Sequence, residues 1–178
     1  NLGNVLHEIG EINEAIKHYY KVISISPNYA EAHHNLGNIL NDLGQTDEAI
    51  KSYKKTLSIA PDYIDAHNNL GNILKELGQT HEAIESYEKA LAIEPEFAEA
   101  HNNLANALKD LGEFSEAIIF YKQAIEVNPN YDDAYYNLGV SHHELGQTDE
   151  ALNCYHKVLD INPDYADAHN NLGNILKE

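Results

Sequence analysis

The chain has 178 residues with 29 acidic side chains against 11 lysines and no arginine, a formal charge of −18. Phosphate neutralisation needs clustered basic residues, so nucleic acid and anionic membrane surfaces are excluded as partners. Hydrophobic residues make up 43% of the chain, enough for a core, yet no apolar run approaches the roughly 18 residues of a membrane span.

The first predicted helix ends near Gly10, and a second runs from about Asn13 to Ser26, where Pro27 stops it. The segment 30–63 then shows a whole unit. One helix spans Ala30 to Leu43, Gly44 ends it, Thr46 and Asp47 cap the next, that helix runs to Ile59, and Pro61-Asp62 breaks the chain. Units 64–97, 98–131 and 132–165 repeat the hairpin with glycine stops at Gly78, Gly112 and Gly146 and breaks at Pro95, Pro129 and Pro163. The final stretch, Ala166 to Glu178, is a first helix alone, and residues 1–29 are a partial unit.

The register is marked by Leu36-Gly37, Leu70-Gly71, Leu104-Ala105, Leu138-Gly139 and Leu172-Gly173, a constant step of 34 residues. Such a period signals a solenoid, whose units stack because none can bury its own apolar face. The second helices carry Ala15, Ala49, Ala83, Ala117 and Ala151, each followed one turn later by Tyr19, Tyr53, Tyr87, Tyr121 and Tyr155. A small residue beside an aromatic one lets two helices approach and lock, so these are expected to pack.

The first helices present a different puzzle. Asn1, Asn35, Asn69, Asn103, Asn137 and Asn171 hold one position in every copy, and Asn4, Asn38, Asn72, Asn106 and Asn174 hold a second, with Val140 the exception. Asparagine is a poor helix former, so two rows of it on a solvated face need a cause. A carboxamide offers a donor and an acceptor and can pair with a peptide group whatever side chain that group carries. Neighbouring helices about 8–10 Å apart would meet an extended chain at roughly every third residue. The competing reading is that these asparagines bridge adjacent helices or bind water.

The landmarks His67, Leu70, Gly71, Leu74, Ala83, Tyr87 and Pro95 resemble the tetratricopeptide repeat. The resemblance covers the whole chain and departs where the family has tryptophan, a position held here by His33, His67, His101, Tyr135 and His169, so that contact is expected to be smaller and more polar. It implies an all-α, right-handed superhelical α-solenoid of antiparallel hairpins, about five repeats plus a final helix, as one domain over 1–178. The AHNNLGN variant is most similar to the repeat arrays of O-linked N-acetylglucosamine transferases and their bacterial relatives, in which an asparagine ladder on the concave face holds extended polypeptide. By residue match the resemblance places peptide contacts on Asn35, Asn69, Asn103, Asn137 and Asn171, with Asn38, Asn72, Asn106 and Asn174 beside them. Asn68, Asn102 and Tyr136 join them as expected contacts. The carboxylate clamp of chaperone-binding members needs basic residues where this chain has Glu31, Asp65, Glu99, Asp133 and Asp167. An acidic tail is therefore disfavoured and a neutral or basic peptide favoured.

No catalytic or cofactor chemistry is expected. His33, His67, His101 and His169 lie one repeat apart, too far to share an ion with bonds of about 2.0–2.1 Å. The pairs His33-His34 and His142-His143 diverge by about 100° on a helix and lack chelating spacing. Cys154, the single cysteine, excludes an internal disulfide, fits a reducing compartment and has no acid-base companion. Glycines stand singly, without a phosphate loop. The expected function is a non-catalytic scaffold for extended polypeptide. A recognition arm of a larger glycosyltransferase and a module that associates weakly end to end are the alternatives. Opening on Asn1 inside a repeat and lacking methionine, the chain is expected to be a segment of a longer, cytoplasmic protein.

Overall fold

The computed structural model describes residues 3, 5, 6 and 9–175. Asn1 and Asn4, the first rungs of the expected rows, lie outside the described residues, as does the end of the final helix. Among the described residues the elements are all helical: α1 (Ile12–Ile25), α2 (Ala30–Asp42), α3 (Thr46–Ile59), α4 (Ile64–Glu76), α5 (Thr80–Ile93), α6 (Ala98–Asp110), α7 (Phe114–Val127), α8 (Asp132–Glu144), α9 (Thr148–Ile161) and α10 (Ala166–Ile175). The chain divides into two compact units, residues 1–78 and 79–178.

In the first unit α2 packs along α3, and α1 and α4 each contact a neighbour in the same unit. Leucine and isoleucine recur on α2 at the helical period, and the stripe they form is buried, with Leu36, Ile39 and Leu40 at 2–3% exposure. Each such side chain contributes about 1.5–3 kcal/mol relative to the exposed state. The helix stops at Gly44, whose φ of +69° lets the amide of Gln45 reach back to the Leu40 carbonyl at 2.8 Å and that of Gly44 to Asn41 at 2.8 Å. This double return satisfies carbonyls that the helix end would leave orphaned.

The start of α3 corrects the sequence expectation. Gln45, not Thr46 or Asp47, occupies the N-cap, and no side chain caps the helix. Thr46 instead turns back to the Gly44 carbonyl at 3.5 Å. The tight glycine turn leaves one residue before the helix, so the capping side chains fall inside the first turn, where Asp47 and Glu48 face the positive end of the helix dipole.

Where α2 crosses α3, Gly37 lies against the ring of Tyr53; a Cβ there would stand 2.7 Å from Cε1. The aromatic ring fills the space that the missing side chain vacates, and Tyr53 is 2% exposed.

The second unit repeats the arrangement. α6 packs on α7 and α8 on α9, with α5 against α6, α7 against α8 and α10 against α9. Gly139 meets the Tyr155 ring at 2.8 Å and the Cys154 Cβ at 3.1 Å, again measured from a Cβ built on the glycine. Ala105 takes the glycine position in its repeat and is fully buried. Cys154 itself is 9% exposed, and burial raises its thiol pKa to about 11.

Candidate functional site

The first helices of the hairpins, α2 and α4 in one unit and α6, α8 and α10 in the other, carry the asparagine rows on a face that is neither core nor open surface. Asn35, Asn38, Asn69, Asn72, Asn103, Asn106, Asn137 and Asn171 are all half-buried, and Asn174 is exposed. Asn68 and Asn102 are almost enclosed, at 2% and 5% exposure. Half burial leaves part of each of these side chains within reach of solvent.

On the first unit a continuous set of hydrogen bonds runs across three helices. Tyr53 donates its hydroxyl to Asn38 Oδ1 at 2.7 Å. Asn69 Nδ2 donates to the same oxygen at 3.1 Å and lies 3.2 Å from His34 Nε2. His34 Nδ1 is 3.3 Å from the Tyr63 hydroxyl, and its ring packs against those of Tyr53 and Tyr63 at centroid distances of 5.7 and 4.7 Å. With the Asn69 amide donating to Nε2, the proton of the neutral imidazole sits on Nδ1, which then donates to Tyr63. Burial holds the His34 pKa below its ordinary value of 6.5, against the opposing pull of the Asp65 carboxylate.

The second unit uses the same device with one substitution. Tyr121 donates to Asn106 Oδ1 at 2.6 Å, fifteen residues along, just as Tyr53 does to Asn38. Val140 offers no acceptor to Tyr155, and there Asn171 Nδ2 donates to the Tyr155 hydroxyl at 3.2 Å and to that of Tyr136 at 3.4 Å. Tyr136 fills the register position of His34, half-buried, with its ring 6.0 Å from Tyr155 and 5.1 Å from Tyr165. Tyr165 in turn donates to Asp133 at 2.8 Å. Burial raises the phenol pKa values of Tyr53 and Tyr121, and that of Tyr155 to about 12, so all three hydroxyls keep their protons at neutral pH.

Sequence reasoning named the asparagines but not the tyrosines that hold them. The signal was present as the constant fifteen-residue offset of Asn38 from Tyr53 and of Asn106 from Tyr121. Lys109 was also missed: its ammonium donates to Asn137 Oδ1 at 2.9 Å, while Asn137 Nδ2 donates to the Asp133 carbonyl. A cation therefore does reach the asparagine row of the second unit.

The histidines at the family's tryptophan position have a structural task. His33, His67, His101 and His169 each direct Nε2 at the carbonyl of the proline six residues earlier, at 2.8–3.0 Å. A carbonyl can only accept, so Nε2 carries the hydrogen. The contact is polar, as expected from the sequence, and it pins the interhelix turn to the helix that follows. Among the described residues no group of three or more His, Cys, Asp or Glu side chains is arranged to hold a metal ion, and no helix is long and apolar enough to cross a membrane.

No curated protein matches the chain. Among solved structures, that of MamA is 28% identical with a TM-score of 0.85, covering 94% of this chain and 98% of its own. YrrB, described as a tetratricopeptide-repeat protein with an unusual peptide-binding site, is 26% identical with a TM-score of 0.81, covering 96% and 88%. TTC0263 of Thermus thermophilus, at 22% identity and a TM-score of 0.72 over 99% and 96%, shares the fold. Tetratricopeptide-repeat profiles match residues 28–96 and 86–119, and a TPR-repeat profile matches 3–41, 105–146 and 141–178. With its hairpins, its glycine-on-tyrosine crossings and these matches over most of its length, the chain belongs to the tetratricopeptide repeat family.

Proposed function

We propose that the chain is a non-catalytic protein-interaction scaffold that holds an extended polypeptide along its asparagine face. The observation that carries this reading is the half-burial of eight asparagines at two fixed register positions of the first helices. Each outward amide would add about 0.5–1.5 kcal/mol net, so affinity would come from several rungs acting together. Asn35, Asn38, Asn69, Asn72, Asn103, Asn106, Asn137, Asn171 and Asn174 are the contact residues in this reading. Asn68 and Asn102, being enclosed, would support them from the protein side, and Tyr136 would give its rung an aromatic wall. The net charge of −18 favours a neutral or basic partner. The peptide-binding site in the description of YrrB agrees with such a role.

The test is titration calorimetry with the tightest peptide from an array of neutral and basic sequences. A variant carrying Asn35→Ala, Asn72→Ala and Asn103→Ala, shown to be folded by circular dichroism, should bind it at least about tenfold more weakly, since three bonds are removed. Unchanged affinity in a folded variant would sink the proposal.

A further inference from the structure

We infer that the internal hydrogen bonds sort the outward amides into an acceptor row and a donor row, so that a bound chain is read by the polarity of its backbone. The inference rests on the polypeptide-binding reading above and refines it.

A carboxamide has its acceptor on one side and its two hydrogens on the other, so fixing one end inward decides what the other end presents. In the first row the nitrogen faces inward. Asn69 Nδ2 lies within bonding distance of His34 and Asn38, and Asn171 Nδ2 donates to two phenols, which commits both hydrogens in each case. Asn35 Nδ2 is sealed from solvent; Asn137 stands apart from the row, its Nδ2 on the exposed Asp133 carbonyl of its own helix and its Oδ1 taken by Lys109. What remains outward on Asn69 and Asn171 is Oδ1. In the second row the oxygen faces inward: Asn38 Oδ1 accepts from Tyr53 and Asn69, and Asn106 Oδ1 accepts from Tyr121. What remains outward is an NH2 group.

The sorting is enforced by the buried tyrosines. Tyr53 and Tyr121 are 2% and 0% exposed, so their hydroxyl protons have to find an acceptor inside the protein. Turning the Asn38 amide over would set its NH2 against the phenol proton and against the Asn69 NH2, donor facing donor. The choice at one buried hydroxyl thus propagates to the neighbouring rung. Val140 interrupts the donor row, and at that repeat the Tyr155 hydroxyl receives a hydrogen from Asn171 instead.

On the first unit a ligand backbone therefore places an N–H group on Asn69 and a C=O group on Asn38, and on the second unit an N–H group on Asn171 and a C=O group on Asn106. Proline, which lacks the N–H, is refused at the acceptor rungs. The donor rungs refuse nothing that carries a peptide carbonyl.

Two measurements on the whole chain test this. In the first, without ligand, nitrogen-15 NMR reads exchange of side-chain NH2 hydrogens with water: those of Asn69 and Asn171 should be protected, and those of Asn38 and Asn106 should exchange freely. The opposite pattern, or no difference, overturns the inference. In the second, Asn38→Asp and Asn106→Asp keep the inward oxygen and replace the outward donor by an acceptor, whereas Asn69→Asp removes the inward donors. The first two should melt near the unaltered chain and Asn69→Asp clearly lower; equal losses would overturn the sorting. An uncharged twelve-residue peptide of alternating serine and threonine serves as the probe, so that the added carboxylate has no charge to act upon. The double variant Asn38→Asp with Asn106→Asp should bind it roughly 5- to 150-fold more weakly, and equal binding overturns the donor-row assignment. If the unaltered chain fails to bind the probe, backbone recognition falls, while the exchange pattern still decides how the amides are turned.

Discussion

Replacing Gly37 by alanine should separate two effects that usually travel together. A methyl group there would stand 2.7, 2.9 and 3.2 Å from Cε1, Cδ1 and Cζ of Tyr53, against an ordinary carbon contact of about 3.5–4.0 Å. The ring has little freedom to withdraw, since Tyr53 is 2% exposed and its hydroxyl is held by Asn38. Overpacking of this kind costs about 1–3 kcal/mol, and the better helix propensity of alanine offsets about 0.8–1.0 of it, leaving a net loss of roughly 0–2 kcal/mol. Gly173→Ala is the matched control, because a Cβ at Gly173 meets nothing within 4 Å and that variant keeps the propensity gain alone. At about 2–4 °C per kcal/mol for a chain of this size, thermal melts followed by circular dichroism should show Gly37→Ala falling and Gly173→Ala rising. A Gly37→Ala chain as stable as Gly173→Ala would refute the claim that the glycine exists to admit the tyrosine ring.

Leu70→Ala should cost about 2–5 kcal/mol in urea unfolding, as the side chain is 7% exposed in the stripe of α4. Tyr121→Phe keeps the ring but strands Asn106 Oδ1, so a loss of about 0.5–1.5 kcal/mol is expected in the same assay. His34 predicts a pH effect: its folded pKa lies below 6.5 because of burial, with Asp65 and Glu31 opposing and the Tyr53 and Tyr63 rings adjacent. The folded state therefore takes up the proton less readily than the unfolded chain, so this stabilisation is complete above pH 6.5 and lost as pH falls below it. His34→Asn should flatten that part of the stability profile. Val140→Asn should give the Tyr155 hydroxyl the acceptor found at Asn38 and Asn106, and peptide-array profiles for the two proteins should then differ at that rung.

Much of the fold was legible because its determinants are local. Gly44 needs a left-handed φ at its own position, Pro27 and Pro61 stop helices where they stand, and the 34-residue spacing of Leu36, Leu70 and Leu104 repeats these instructions. The N-cap was misread because Thr46 and Asp47 are good capping residues, but the turn geometry gave the position to Gln45. At the candidate site the residue types were visible and their ties were not. Whether Asn38 is held by Tyr53 depends on how two helices of a hairpin are offset, which periodicity within one helix does not encode. For the same reason Asn68 and Asn69, adjacent in sequence and alike in chemistry, could not be ranked: one is 2% exposed and the other half-buried, a difference set by about 100° of helix rotation.

The buried thiol of Cys154 equips the chain with a built-in clock. With a pKa near 11 and 9% exposure, the sulfur is almost wholly protonated and shielded at neutral pH, and alkylation requires a thiolate within reach of the reagent. Labelling should therefore proceed only through excursions that lift α9 away from α8, where Cys154 lies close to Gly139. Since the chain has one cysteine, the modification rate under reagent excess reports the opening equilibrium of that single hairpin. It can be compared with global unfolding to learn whether this repeat breathes alone or only when the rest of the array lets go.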